Sequence, residues 1–180
     1  MHEKRFEGDI TRLRLPERVE RLEVGRVVEL CLEKSQIKNV LDVGTGTGLF
    51  AEEFFCRGLS VAGLDVNPEM LPAARQFVPK GGFRQGEIEA LPYPDGSFEL
   101  IFLGLVLHES DDTLKALKEA RRVASKRVCI LEWPYRDQPF GPSLADRLNP
   151  EILASLFKKA GFRKWTMKDL ANTVLYRLEV

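Results

Sequence analysis

A short segment at residues 39–50, which reads Asn-Val-Leu-Asp-Val-Gly-Thr-Gly-Thr-Gly-Leu-Phe, constrains this chain more than any other. A strand-like apolar run ends in an acid, glycines follow at 44, 46 and 48, and a helix pattern then begins. Glycine permits a sharp turn and leaves room for a ligand against the main chain, and a helix start points unpaired N–H groups at that ligand. The segment predicts a loop for a nucleotide-type cofactor; the alternative is a tight strand-to-helix turn without a ligand.

The glycine spacing distinguishes this loop from two other phosphate-binding loops. Dinucleotide loops follow G-x-G-x-x-G, and P-loops follow G-x-x-x-x-G-K-[ST]. Here the pattern is D-x-G-x-G-x-G, with no lysine beside the last glycine and no Tyr-x-x-x-Lys pair elsewhere. A nicotinamide-dependent oxidoreductase is therefore disfavoured, although an acid after the second predicted strand would also suit NAD.

The length and charge of the chain limit its domain organisation and the classes of partner that it can have. Its 180 residues suit one domain, which we divide into an N-terminal arm and helix (1–34), a cofactor-binding half (35–133) and a lid loop with a helix and strand pair (134–180). Basic and acidic residues number 27 each, so no nucleic-acid partner is expected. No apolar run is long enough for membrane insertion, and we expect a monomer or homodimer.

The three cysteines carry no sign of a metal site. Cys31, Cys56 and Cys129 form no C-x-x-C pair and have no histidine nearby in sequence. We interpret them as small core residues in a reducing compartment. The sequence thus predicts no bound metal and a cytoplasmic location.

Strand and helix patterns alternate along the chain, as in a parallel sheet flanked by helices. Asn67-Pro68 and Asn149-Pro150 each predict a helix start, and a short loop makes the last two strands antiparallel. The prediction is an α/β, Rossmann-like, doubly wound seven-stranded sheet, mostly parallel with an antiparallel last strand and helices on both faces. Predicted helices cover 16–34, 49–57 and 112–124, with two more from 67 and 149; strands cover 39–43, 60–64, 82–85, 98–103, 127–131, 162–167 and 173–178.

Polar residues follow the ends of several predicted strands, where ligands of such sheets bind. Asp65 ends the second strand and can accept hydrogen bonds from ribose hydroxyls; a helix cap or surface acid is the alternative. Glu87 and Ile88 follow the third strand and can hold an adenine edge. Leu103-Gly104 ends the fourth strand, with His108 shortly after.

These motifs together resemble the class I S-adenosylmethionine-dependent methyltransferases, in the branch with small-molecule enzymes of the ubiquinone and menaquinone type. The matching stretches follow the family's order over nearly the whole chain: VLDVGTGTG (40–48), GLDVNPEML (63–71), GEIEALPYPDGSFELI (86–101), LHE (107–109) and EARRVASKRVCILEW (119–133). Two departures are Glu87, where the family more often has Asp, and residues 124–127, where it usually has a Pro-Gly-Gly turn.

The resemblance implies a role for each matching position and S-adenosylmethionine as the cofactor. The methionine part would bind at the first motif, the ribose and adenine at the second and third, and the ammonium at backbone near the end of the fourth strand. The implied cofactor residues, in that order, are Asp42, Gly44, Thr45, Gly46 and Gly48; Asp65 and Val66; Glu87 and Ile88; and Leu103 and Gly104. An S-adenosylmethionine-binding sensor or partner module without turnover is the alternative function.

The resemblance implies a small-molecule acceptor. The Asn/Asp-Pro-Pro-aromatic motif of methyltransferases that act on amino groups of DNA bases or protein glutamine is absent at the end of the fourth strand. His108 is predicted to act as base or orienter there; capping a helix or bonding a backbone carbonyl is the alternative.

The family places the acceptor between an N-terminal arm, here 1–15, and the segment after the fifth strand. Aromatic and arginine side chains in that segment would suit a planar or anionic acceptor; simple packing over the sheet edge is the alternative. They are Trp133, Tyr135, Arg136, Phe140 and Arg147.

Overall fold

The computed structural model describes residues 10–180, which form one seven-stranded sheet of order β3-β2-β1-β4-β5-β7-β6 flanked by helices. β7 is antiparallel to both of its neighbours, and the other pairs are parallel. The predicted fold class is confirmed. The strands are β1 Asn39–Val43, β2 Ser60–Asp65, β3 Gly82–Gln85, β4 Phe98–Gly104, β5 Ala124–Glu132, β6 Lys164–Asp169 and β7 Val174–Glu179.

Six α-helices accompany the strands in the described part of the chain. They are α1 Pro16–Arg21, α2 Val24–Leu32, α3 Leu49–Cys56, α4 Leu71–Phe77, α5 Thr113–Val123 and α6 Pro150–Lys159, and single 3₁₀ turns lie at Ile10–Arg14, Leu107–Glu109 and Leu144–Asp146.

The central strands are apolar throughout because both faces of the sheet are covered. In β4, Leu100 and Phe102 belong to a core built with α2 and α3, whereas Ile101 and Leu103 belong to a second core built with α5 and α6. Alternate side chains of a strand point to opposite faces. The continuous apolar run therefore serves two cores and leaves only the strand ends for polar chemistry.

The helix predicted over 16–34 is instead two helices, broken at Glu23. Glu23 adopts a left-handed backbone conformation with φ of 49°. Its carboxylate accepts a hydrogen bond from the Ala171 N–H at 2.9 Å, and the Asn172 side-chain amide donates to the Arg21 carbonyl at 3.1 Å. The turn between β6 and β7 thus stabilises the break, and it lies about 150 residues away in sequence.

Of the two Asn-Pro cap signals, one predicted a helix start correctly and one wrongly. The Asn149 side chain caps α6 by accepting from the Glu151 N–H at 2.8 Å, and Asp112 caps α5. Asn67 bonds the Glu69 N–H at 3.0 Å, but this closes only a turn, and α4 begins at Leu71. An Asx turn and a helix cap use the same local bond, so the sequence signal is the same for both.

The proline-rich segment at 134–148 folds back on itself around one buried arginine. The Arg147 side chain is 5% exposed. Its guanidinium donates to four carbonyl oxygens and one side-chain amide oxygen: Pro134 at 3.0 Å, Arg136 at 2.6 Å, Phe140 at 2.8 Å, Pro142 at 3.0 Å and Gln138 Oε1 at 2.8 Å. The segment therefore has an internal structure of its own.

Candidate cofactor-binding site

A cleft of about 350 Å³ opens at the carboxyl ends of β1, β2 and β4, where the strand order reverses. This is the position at which open α/β sheets bind ligands, and the volume lies in the range of small-molecule sites. The lining comes from residues 42–47, 49–50, 64–67, 86–89, 104–106 and 109–111, with Leu13, Arg18, Leu22 and Met70. The structure thus brings most of the predicted cofactor residues to one cavity.

The two strand-end carboxylates organise the glycine loop. Asp65 Oδ2 accepts the Gly46 N–H at 2.7 Å, and its Oδ1 accepts the Asn67 N–H at 2.9 Å. The Thr45 hydroxyl donates to Asp42 Oδ2 at 2.8 Å. Gly46 has φ of 52°, a conformation that glycine adopts without strain. The loop is preformed because Asp65 accepts the Gly46 N–H, and the Leu64 carbonyl accepts the N–H groups of Gly44 and Thr45.

The surroundings that require glycine differ among the three loop positions. A Cβ on Gly44 would lie 2.4 Å from Val106 Cγ2, and one on Gly48 would lie 2.9 Å from the Ala74 Cα. Those two glycines allow close packing against neighbouring elements, and Gly48 does not line the cleft. Gly46 has open space beside it, with the nearest atom 3.8 Å away on Leu13. The even spacing in sequence suggested one shared role, which the packing does not support.

Asp42 and Asp65 form a pair of buried acids in the cleft. The pKa of Asp42 is raised to about 7, mainly by burial; the Thr45 hydrogen bond opposes this rise, and the nearby charge of Asp65 adds to it. Burial also raises the pKa of Asp65, opposed by the N–H groups of Asn67 and Gly46. A buried carboxylate without a cation is costly. A positively charged ligand in this cleft would be stabilised by both groups.

The predicted adenine-side residues lie across the cleft from the glycine loop. Val66 and Ile88 are half-buried and Glu87 is exposed, and all three line the cavity. Glu89 Oε1 accepts the Asp111 N–H at 2.9 Å, which ties this loop to the segment after β4. Gly104 lines the cleft, whereas the side chain of its neighbour Leu103 is fully buried in the core.

His108 lies beside the cleft and is paired with a buried carboxylate that the sequence analysis missed. Its Nδ1 is 2.9 Å from Glu132 Oε2, and its backbone N–H donates to Glu132 Oε1 at 3.1 Å. Its Nε2 is 3.9 Å from Glu109 Oε1, and Glu109 lines the cleft. Among the described residues, the His108 ring thus contacts two carboxylates, not the helix end or backbone carbonyl that the alternative interpretation named. The only signal for Glu132 in the sequence is an acid at the end of an apolar strand.

The electrostatic surroundings of His108 favour its protonated form. Burial alone would lower the pKa of His108, but the charge and hydrogen bond of Glu132 raise it, helped by the charges of Glu109 and Asp146. The net direction is upward from the ordinary value. Glu132 is 2% exposed, so its attraction is little screened by solvent.

The aromatic and arginine residues predicted to surround an acceptor do not line this cleft in the described structure. Trp133 is 6% exposed and lies against Gly141, and its ring is tilted by 51° to that of Phe140. The Arg147 guanidinium bonds the segment's own carbonyls. The alternative, packing over the sheet edge, agrees with these contacts. The predicted N-terminal arm contributes Leu13 to the cleft, while residues 1–9 of that arm lie outside the described residues.

Two further findings concern metals and membranes. Within residues 10–180, His, Cys, Asp and Glu side chains form no group of three or more that could hold a metal ion. No helix in the same range has the length and apolar character needed to cross a bilayer.

The sheet order, the glycine loop at the reversal point and the strand-end acids define a Rossmann-like protein that binds a nucleotide-type cofactor. Residues 41–130 match the family model described as a methyltransferase domain. The chain belongs to this methyltransferase family. Methyltransferases of this class use S-adenosylmethionine, so the predicted cofactor is confirmed at the level of the family.

Named relatives and solved structures agree with this assignment. The chain is 38% identical over 117 residues to demethylmenaquinone methyltransferase of Thermus thermophilus, covering 61% of this chain and 53% of that protein. It is 37% identical over 92 residues to malonyl-[acyl-carrier protein] O-methyltransferase of Erwinia billingiae, covering 51% and 37%. A crystal structure of a SAM-dependent methyltransferase from Aquifex aeolicus shares the fold, with a TM-score of 0.83, 24% identity and coverage of 95% and 96%. The chain spans about half the length of the curated relatives that it matches.

Proposed function

We propose that this protein is an S-adenosylmethionine-dependent methyltransferase that acts on a small molecule. The observation that carries the proposal is the pair of buried acids, Asp42 and Asp65, that hold a glycine loop at the strand-order reversal. A cleft in which most of the charged lining side chains are acids suits a positively charged nucleoside. When bound, S-adenosylmethionine supplies a methyl group made electrophilic by the adjacent sulfonium.

The cleft residues would bind the parts of the cofactor separately. Each Asp65 oxygen already accepts one N–H and has a further lone pair for a ribose hydroxyl. Glu87 would accept the adenine amino group, with Val66 and Ile88 against the ring faces. Asp42, the loop at 44–48 and the backbone at 103–104 would hold the amino-acid end. Rigid placement of this kind supplies about 7–11 kcal/mol in well-oriented reactions.

His108 would remove the proton that an acceptor loses, with Glu132 as its positioning partner. In the neutral form, Nδ1–H donates to Glu132, so the second ring nitrogen, Nε2, carries the lone pair that takes the proton. Glu132 then stabilises the resulting imidazolium. Nε2 lies on the side of Glu109, which lines the cleft. A general base of this kind contributes typically about two to four decades in rate.

A small-molecule acceptor is supported by the names of the relatives and by the cleft. The names refer to demethylmenaquinone for one relative and to malonyl-[acyl-carrier protein] for another. The cleft lies at strand ends and is rich in acids, which repel nucleic-acid phosphates. The balanced charge supports a protein without a nucleic-acid partner, and the three free cysteines support a reducing, cytoplasmic location; a monomer or homodimer stays a prediction.

The test is a calorimetric titration with S-adenosylmethionine and S-adenosylhomocysteine, with NADH as the comparison ligand. Both sulfur ligands should bind in the micromolar range and NADH should not, and Asp65→Ala should abolish binding. Asp137→Ala, an exposed acid in the 134–148 segment, should leave affinity unchanged. Acceptors are then screened by formation of S-adenosylhomocysteine. Binding without turnover on any acceptor would favour the sensor module, and binding of NADH alone would contradict the proposal.

A further inference from the structure

The Arg18 side chain has one buried nitrogen for which the protein supplies no hydrogen-bond partner. It lies in α1 and lines the cleft, and its Nε is buried without a hydrogen-bond partner. Buried polar atoms nearly always have partners, and a missing partner costs free energy. Burial lowers the pKa of Arg18, and the charge of Arg21 lowers it further. The free protein therefore holds this guanidinium in an unfavourable environment.

The start of α1 is anchored over the glycine loop, so Arg18 is held at that end of the cleft. The Arg14 guanidinium donates to the Thr47 carbonyl at 2.9 Å and also pairs with the Glu52 carboxylate. Leu13 Cδ1 lies 3.8 Å from the position of a Cβ on Gly46. These contacts connect the residues just before α1 to both the loop and α3. The fold therefore fixes the position of Arg18 at the cleft.

The charges of the cleft make Arg18 distinctive. Among the described residues that line it, Arg18 is the only basic one, and the other charged side chains are all acids: Asp42, Asp65, Glu87, Glu89, Glu109 and Asp111. An ammonium or sulfonium group is attracted throughout such a cleft. A carboxylate is repelled by most of it, and its favourable position is beside Arg18.

We infer that Arg18 binds the carboxylate of the amino-acid end of the cofactor and so selects ligands that carry this end. The inference rests on the proposed function. An arginine fork matches a carboxylate with two parallel hydrogen bonds and loses little flexibility in doing so. Binding would give the buried Nε or its neighbouring nitrogens the partner that the protein lacks. It would also assign the first helix after the predicted arm a role in cofactor recognition.

A pair of ligands separates this role from general effects on the cleft. S-adenosylhomocysteine carries the amino-acid end, whereas 5′-methylthioadenosine has the same nucleoside and thioether without it. The affinity of each is measured by calorimetry for the wild type and for Arg18→Gln. We expect the variant to bind S-adenosylhomocysteine at least about tenfold more weakly, as for loss of a charge-assisted hydrogen bond. Binding of 5′-methylthioadenosine should stay within about twofold, which also shows that the cleft is folded.

Two further variants control the result. Arg21→Gln removes a guanidinium from the same helix that lies over the Phe140 ring, outside the cleft, and should change neither affinity. Arg18→Lys keeps the charge without the fork and should bind S-adenosylhomocysteine with an affinity between those of wild type and Arg18→Gln. If Arg18→Gln lost affinity equally for both ligands, or lost affinity for neither, this inference would be wrong but the proposed function would stand. A wild-type protein that binds neither ligand would overturn the proposed function together with the inference.

Discussion

The cleft and the 134–148 segment both looked functional in the sequence, but they differ in how well their buried charges are satisfied. In the segment, Arg147 has five oxygen partners from the segment itself. In the cleft, Asp42 has a raised pKa and Arg18 has a buried nitrogen without a partner. A charge that the protein satisfies contributes to stability, and one that it leaves unsatisfied is available to a ligand. We therefore infer a structural role for the 134–148 segment and a ligand-binding role for the cleft.

The largest effect should come from removing the centre of the segment. Arg147→Ala leaves several buried carbonyls without donors, so we expect the free energy of unfolding to fall by about 3–5 kcal/mol. Urea denaturation measures this, and calorimetry should show S-adenosylhomocysteine affinity within about twofold of wild type under folding conditions. Arg136→Ala is the control because Arg136 is exposed and donates one side-chain bond of 3.3 Å. A strong loss of cofactor affinity in Arg147→Ala would break the comparison.

The second effect concerns turnover. Glu132→Gln keeps the shape but removes the charge that raises the pKa of His108, so we expect turnover to fall about a hundredfold with little change in KM. His108 must be neutral to act as base, so wild-type activity should rise with pH through the raised pKa. The variant's acid limb should move to lower pH, because the pKa of its His108 falls. An unshifted pH profile would contradict the pairing, and His108→Ala turnover within about a factor of two of wild type would exclude the base role.

A third, smaller effect tests whether Gly48 serves packing against α4 and not ligand binding. Gly48→Ala would place a Cβ 2.9 Å from the Ala74 Cα, at a φ of 76°. We expect a loss of about 2 kcal/mol in the free energy of unfolding. Gly58→Ala is a matched control, because Gly58 also has positive φ but has no atom within 4 Å of its Cβ position. Equal losses in thermal or urea unfolding would show that backbone strain, not the contact with α4, is responsible.

The smallest effect is a pH dependence of cofactor affinity. A cationic ligand favours the charged form of Asp42, so binding should release a proton wherever the free carboxyl is protonated. With a pKa of about 7, affinity should be highest above that pH and fall about tenfold by one unit below it. Calorimetry in buffers of different ionisation enthalpy measures the released proton. Asp42→Asn should bind more weakly and without this dependence between about pH 6 and 8, roughly the span over which Asp42 titrates. A variant with the wild-type pH dependence would assign the proton elsewhere.

Local patterns in the sequence determined much of this protein. The alternation of apolar strands with amphipathic helices predicted the class of sheet, and the cap signal at Asn149 predicted one helix start. The glycine loop and the acids at 42 and 65 predicted the position of the cleft. Each of these signals depends on residues a few positions apart, because side-chain periodicity and helix caps act over one or two turns.

Only the tertiary structure decided which charged groups are paired and which are left for a ligand. His108 meets Glu132 because β4 and β5 are neighbours, with Gly104 opposite Leu131. α1 ends where distant residues of the β6–β7 turn bond to it, and Arg147 is buried because its own segment folds around it. The order of strands and the burial of a charge arise from contacts between residues far apart in the chain. No short sequence pattern records them, because the free energy of a buried charge depends on partners that only the folded chain brings close.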